Sequence, residues 1–304
     1  MGLTDNQQRL IKAVAQNDMQ SAKKCAIACV AEDTTQKNKY FCNRYKQILE
    51  NSGSMIELPH DLKSILCMED VSVSFKEGRY YLSEREKAVF DTIVRMKKVN
   101  GRLMEMGIPY LNSTLLYGES GTGKTSFGRY VAYKMGLPFC YLNFSSLVDS
   151  YMGNTSRNIS KAFNYVVSNP CVFMLDEIDC ISIRRSDSSD SGASGEMARI
   201  TITFMQEFDK LTNDIVVIAA TNRMDRIDEA LLRRFSVKHE VKVFEREEKE
   251  KLSYKFLNDV GMGDDFYARD ICELADKSQN QSMLLNELVW MISEKIYQEV
   301  GADG

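Results

Sequence analysis

Eight residues constrain this chain more than any others: Gly118-Glu119-Ser120-Gly121-Thr122-Gly123-Lys124-Thr125, with Ser126 following. They fit the pattern G-x-x-x-x-G-K-[S/T]. The glycines let the backbone curl until consecutive N–H groups face one concavity suited to phosphate oxygens. An apolar run, Ser113–Tyr117, leads into the loop, and a helical stretch, Ser126–Met135, leads out of it. That helix points its positive end at the same anion. Lys124 is placed to reach the β and γ phosphates, and the Thr125 hydroxyl to bind Mg²⁺.

The surrounding pattern is α/β. Short apolar runs at Thr114–Tyr117, Phe139–Leu142, Val172–Leu175 and Ile215–Ala220 alternate with helical stretches, and Val241–Phe244 is a fifth run. Apolar strands separated by helices imply a parallel five-stranded sheet covered by helices on both faces. Ser83-Glu-Arg-Glu86 reads as a capping box that opens a helix towards Met106. After Glu245 the pattern is wholly helical, and Ser282 is placed to cap a helix carrying Leu284, Leu285 and Leu288. Residues 1–50 show helical spacing and end in the turn residues 51–54. The expected organisation is a helical segment over 1–54, a nucleotide-binding α/β domain over 55–244 and a small helical domain over 245–304.

Three further segments carry chemistry. Cys171-Val-Phe-Met-Leu175-Asp176-Glu177 is an apolar strand ending in two acids, 52 residues after Lys124. Asp176 at the strand end is suited to hold Mg²⁺. Glu177 is suited to polarise the water that attacks the γ-phosphate. Asn222 follows another apolar strand and reads either as a hydrogen-bonding group for the γ-phosphate or for that water, or as an ordinary turn residue. Arg233 and Arg234 read either as a surface ion-pair cluster or as fingers that stabilise transition-state charge in a neighbouring molecule.

With these segments in this order, the chain resembles the AAA+ ATPases, and within them the AAA family proper. The phosphate loop, LDEID (175–179), AATNR (219–223) and DEALLRRF (228–235) carry the resemblance over about residues 110–300. It implies ATP and Mg²⁺ as cofactors and a helical lid behind the nucleotide. It also implies that Asn222 acts as sensor 1 and that Arg233 and Arg234 act on the neighbour's ATP. Leu147–Phe163 resembles the family segment that holds pore loop 1, with Tyr151, Met152 and Gly153 at the gripping positions. The chain departs from the pattern in places. Glu119-Ser120 stands where two prolines are usual, which should leave backbone contacts intact. No Pro-Gly separates the arginines, an arrangement closer to the katanin and spastin variant. No arginine occupies the sensor 2 position in Gln279–Leu284. The backbone near Tyr80–Leu82 is the segment placed against adenine.

Composition narrows the partners. Net charge is −4, which gives no global pull towards nucleic acid. No apolar run nears the ~18 residues of a membrane span, and Met1–Leu10 lacks the basic-then-apolar order of a secretory signal. Eight scattered cysteines and two distant histidines (His60, His239) favour reduced thiols over a zinc site. The expectation is a cytoplasmic ATPase that self-associates into a ring, a hexamer when ATP-bound, and threads or remodels a protein client. Two other readings stay open: a slowly hydrolysing nucleotide-gated adaptor, and a nucleic-acid-associated loader or transposition helper.

Overall fold

The computed structural model describes the chain apart from residues 1–2, 16–18, 34, 36–37, 40–41, 44–45, 47–57, 60–61, 145–146, 148–154, 182–191, 212–214 and 303–304. Two helices, α1 (Asp5–Ala15) and α2 (Met19–Glu32), come first and pack on one another. The first strand, β1 (Leu66–Glu69), follows. Next is α3 (Glu84–Glu105), opened by the capping box: Ser83 Oγ accepts from the Glu86 N–H, and the Glu86 carboxylate accepts from the Ser83 N–H. Then come β2 (Asn112–Tyr117), α4 (Lys124–Met135), β3 (Phe139–Asn143), α5 (Thr155–Ser168), β4 (Val172–Asp176), α6 (Gly192–Phe208), β5 (Val216–Thr221) and β6 (Val237–Glu240). Three helices end the chain: α7 (Arg246–Asp259), α8 (Ala268–Lys277) and α9 (Gln281–Ala302). Among the described residues, no helix is long and apolar enough to cross a membrane.

The sheet has six strands in the order β1-β3-β4-β5-β2-β6, not the five expected. Strands β3, β4, β5, β2 and β6 are parallel, and β1 is added antiparallel at the β3 edge, Leu66 opposite Leu142. The expected fifth strand at Val241–Phe244 is corrected to Val237–Glu240. Val241 and Phe244 are indeed buried, but in different cores, Val241 under the sheet and Phe244 among the C-terminal helices. Apolarity there reports burial and not pairing. The true edge strand, Val-Lys-His-Glu, is too polar and short to announce itself.

Side chains alternate across the sheet, so each strand feeds two cores. On one face Leu115, Phe173, Leu175 and Val217 pack with Ile159 and Phe163 of α5 and Phe204 of α6. On the other, Leu116, Met174 and Ile218 pack with Ile93 of α3 and with Phe127 and Val131 of α4. Helices α7 to α9 close a third core around Leu257, Ile271, Leu284 and Leu288. Phe204 is fully buried and meets Phe144 and Phe163 edge-on, with ring centroids 5.2 and 5.5 Å away. Phe204→Ala is therefore expected to cost about 3–5 kcal/mol, read as a lower midpoint in a urea titration. A loss under about 1 kcal/mol would mean that the α6 core collapses around the missing ring.

Candidate active site

The five parallel strands end at one edge of the sheet, where ligands of open α/β sheets bind. The loop after β2 makes the site. Gly118 has φ 144°, and a Cβ there would lie 2.3 Å from the Val241 carbonyl oxygen, so only glycine lets the loop leave β2 beside the start of the C-terminal region. Gly121 has φ 78° and would drive a Cβ to 2.9 Å from the Asn280 side chain. The buried Thr122 hydroxyl donates to the Glu119 carbonyl at 2.9 Å and holds the curl. Lys124 opens α4. Its Nζ donates to the Gly118 and Glu119 carbonyls at 2.8 and 2.7 Å, which leaves one of the ammonium's three donors for a ligand. Burial lowers the Lys124 pKa, opposed by the charges of Asp176 and Asp179.

Strand β4 brings the acids to this loop. Thr125 Oγ1 donates to Asp176 Oδ2 at 2.9 Å. Asp176 Oδ1 accepts from the Glu177 N–H at 3.0 Å. A hydroxyl and a carboxylate side by side are hard oxygen donors and suit Mg²⁺. Glu177 sits at φ 57°, ψ 41°, and is the one non-glycine residue with positive φ among the described residues. Left-handed backbone at a non-glycine residue costs of order 1–3 kcal/mol and clusters at functional sites. Here it turns the chain at the end of β4 and sets Glu177 at the cleft wall.

The cleft has a volume of about 320 Å³ and gathers Ser120, Gly121, Gly123, Lys124, Thr125, Ser126, Asp176, Glu177 and Asn222. Asn222 arrives because β5 lies between β4 and β2 and ends one residue earlier, at Thr221. The arginine pair lies elsewhere in the subunit. Arg234 is bound by Asp209 through Nε and Nη2, both at 2.7 Å, and donates to the Ala230 carbonyl. Arg233 is 79% exposed and makes one 3.3 Å contact with Glu229. Neither lines the cleft. Tyr151, Met152 and Gly153 fall outside the described residues. Tyr80 stacks on Tyr130 at 4.8 Å and Tyr81 meets Phe244 edge-on, so these two rings are engaged in packing.

Several neighbours carry no sequence signal. The Tyr141 hydroxyl lies 3.3 Å from Asp176 Oδ2 and accepts from Asn143 Nδ2 at 3.3 Å, and burial, then the Asp176 charge, raises its pKa. Asp179 accepts from Thr221 Oγ1 at 2.7 Å and ties the end of β4 to that of β5. The start of α9 also closes on the loop: the Ser282 N–H donates to the Gly121 carbonyl at 3.1 Å, and Gln281, Ser282 and Leu285 complete the cleft wall. The α9 cap is Asn280, whose Oδ1 accepts from the Met283 N–H, and not the expected Ser282, whose own N–H is taken by the loop.

Residues 114–243 match the family model described as "ATPase family associated with various cellular activities (AAA)". The chain carries an AAA domain. Among AAA relatives, it is 35% identical over 175 residues to the 26S proteasome regulatory subunit 8 homolog of Schizosaccharomyces pombe, covering 57% of this chain and 43% of that protein. It is 35% identical over 155 residues to the peroxisomal ATPase PEX6 of Homo sapiens, covering 50% and 15%. It is 38% identical over 132 residues to the proteasome-activating nucleotidase of Methanoculleus marisnigri, covering 42% and 32%. The chain thus spans less than half the length of these curated relatives. The crystal structure of the FIGL-1 AAA domain shares the fold, with a TM-score of 0.56 at 23% identity over 76% of this chain and 77% of that one.

Proposed function

We propose that this AAA protein hydrolyses ATP at sites completed by a neighbouring subunit in a ring, and uses the cycle to remodel a protein client in the cytoplasm. The observation that carries this reading is the convergence of Lys124, Thr125, Asp176, Glu177 and Asn222 on one cleft from three separate strand ends. In this reading residues 55–244 bind the nucleotide, 245–304 form the lid and 1–54 precede them. The separate apolar core of α7 to α9 supports that division. Relatives whose names attach them to the proteasome support a protein client, and a hexamer is the ring we infer.

The chain's residues divide the chemistry. The loop N–H groups and the free Lys124 donor bind the phosphates. Thr125 and Asp176 would hold Mg²⁺, which would neutralise phosphate charge when bound. Glu177 takes the proton from the attacking water, and the Asn222 amide orients that water. Tyr141 holds the Asp176 carboxylate in place. Arg233 reaches the neighbour's site, because its exposed guanidinium has a single weak contact to give up.

The test is steady-state ATPase rate per subunit against protein concentration, alongside sedimentation velocity with ATP. The rate per subunit should climb as rings form. A rate that stays flat while the chain remains a monomer would remove the shared-site reading.

A further inference from the structure

Gln281 is the first residue of α9 and is only 5% exposed. Its Nε2 donates to the Thr122 carbonyl at 3.2 Å and to the Lys242 carbonyl at 3.0 Å. Both partners are acceptors only, so the amide orientation is settled: the NH₂ faces them and Oε1 faces away. Oε1 is buried and has no hydrogen-bond partner among the described residues, although Gln281 lines the phosphate cleft. Buried polar atoms without partners are rare and call for an explanation.

The chemistry of the cleft restricts what can satisfy this atom. Nucleotide phosphates at neutral pH are predominantly acceptors, so they repel Oε1 rather than bond it. The missing partner is a donor, an N–H or O–H. A nucleotide carries such donors at its other end, on the ribose hydroxyls and on the exocyclic amine of adenine. Leu285, one helical turn along α9, adds an apolar surface to the same wall, suited to the face of a ribose or base. The clamp that fixes the amide also joins the phosphate loop, through Thr122, to the segment entering the lid, through Lys242.

We propose that Gln281 is a specificity-determining residue whose Oε1 accepts a hydrogen bond from a donor on the nucleoside half of the bound nucleotide. The inference rests on the nucleotide reading of the cleft and goes beyond it, because it assigns discrimination among nucleotides to one side chain of the C-terminal region.

Calorimetric binding of ADP, 2′-deoxy-ADP, 3′-deoxy-ADP, inosine diphosphate and inorganic pyrophosphate tests this. The full chain is used as wild type, Gln281→Met and Gln281→Lys. The lysine variant keeps a donor for the Thr122 and Lys242 carbonyls but has no acceptor, so it separates the lost contact from a loosened loop. Its added charge acts on all nucleoside diphosphates alike and cancels in affinity ratios. In the wild type, an analogue lacking the matching donor should bind about five- to tenfold more weakly than ADP. The deoxy forms report the ribose and inosine diphosphate reports the base amine. In both variants that ratio should fall to near one, while pyrophosphate still binds the methionine variant. A wild type that treats all four nucleotides alike would overturn the proposal, as would variants that keep the ratio. If neither ADP nor pyrophosphate binds the wild type, the nucleotide reading itself falls, and the inference with it.

Discussion

Arg233→Ala should lower the ATPase rate of the assembled protein by about 10³-fold or more, the range for a lost arginine finger. The two adjacent arginines are equivalent in the sequence but not in the fold. Arg234 is tied to Asp209 by a two-bond ion pair and to the Ala230 carbonyl. It is committed to its own subunit. Arg233 projects from the end of a short helical turn with 79% of its side chain exposed. Arg234→Ala is expected to act first on stability, by about 0.5–1 kcal/mol for a partly exposed pair, with a smaller loss of rate. The decisive measurement mixes Arg233→Ala with Glu177→Gln subunits. Each mixed interface that pairs an intact Arg233 with an intact Glu177 should recover activity, which neither variant shows alone. No recovery at any ratio would mean that Arg233 does not act across the interface. A larger rate loss for Arg234→Ala would reverse the assignment of the pair.

Glu177→Gln is expected to cut hydrolysis by about 10²- to 10⁴-fold, the usual contribution of a positioned general base, and to leave ATP binding intact. Glutamine keeps the shape of glutamate and tolerates the same left-handed backbone at φ 57°, so folding is not at issue. It can hydrogen-bond the water but cannot accept its proton. In the proposed reading the phosphate contacts come from the loop and Lys124, and Thr125 and Asp176 keep their mutual hydrogen bond. ATP bound per subunit, measured by equilibrium dialysis, should match the wild type while phosphate release stops. Wild-type turnover in this variant would move the base elsewhere, with Asp179 the next carboxylate at the end of β4.

What could be read from the chain and what could not divides along physical lines. The phosphate loop was legible because its function depends on backbone geometry within eight consecutive residues, and the glycine pattern that permits the geometry is written in order. The Ser83 capping box was legible for the same reason, since both reciprocal bonds span three residues. The central strands were legible because a strand buried on both faces reads as a near-continuous apolar run, although β2 opens on the buried polar residues Asn112, Ser113 and Thr114. Edge strands escape this rule. Val237–Glu240 has three polar residues out of four and was displaced onto the apolar run that follows it, and Leu66–Glu69 gave too short a signal to assign.

The amino-acid sequence by itself determined the α/β class, the likeness to AAA domains and the phosphate-loop pattern, and singled out Asp176 and Glu177 as candidates, because each rests on a local pattern whose physics closes within a few residues. Only the tertiary structure decided which arginine is the more loosely held, what holds Asp176, and that Gln281, a residue of the cleft wall, carries a buried acceptor without a partner among the described residues. Those facts depend on residues far apart in the chain. Gln281 meets Thr122 from 159 positions away, and Arg234 meets Asp209 from 25. A glutamine or an arginine has no periodicity or motif that announces a distant partner. Whether its polar atoms are satisfied is settled only when packing brings the donors and acceptors of separate elements together.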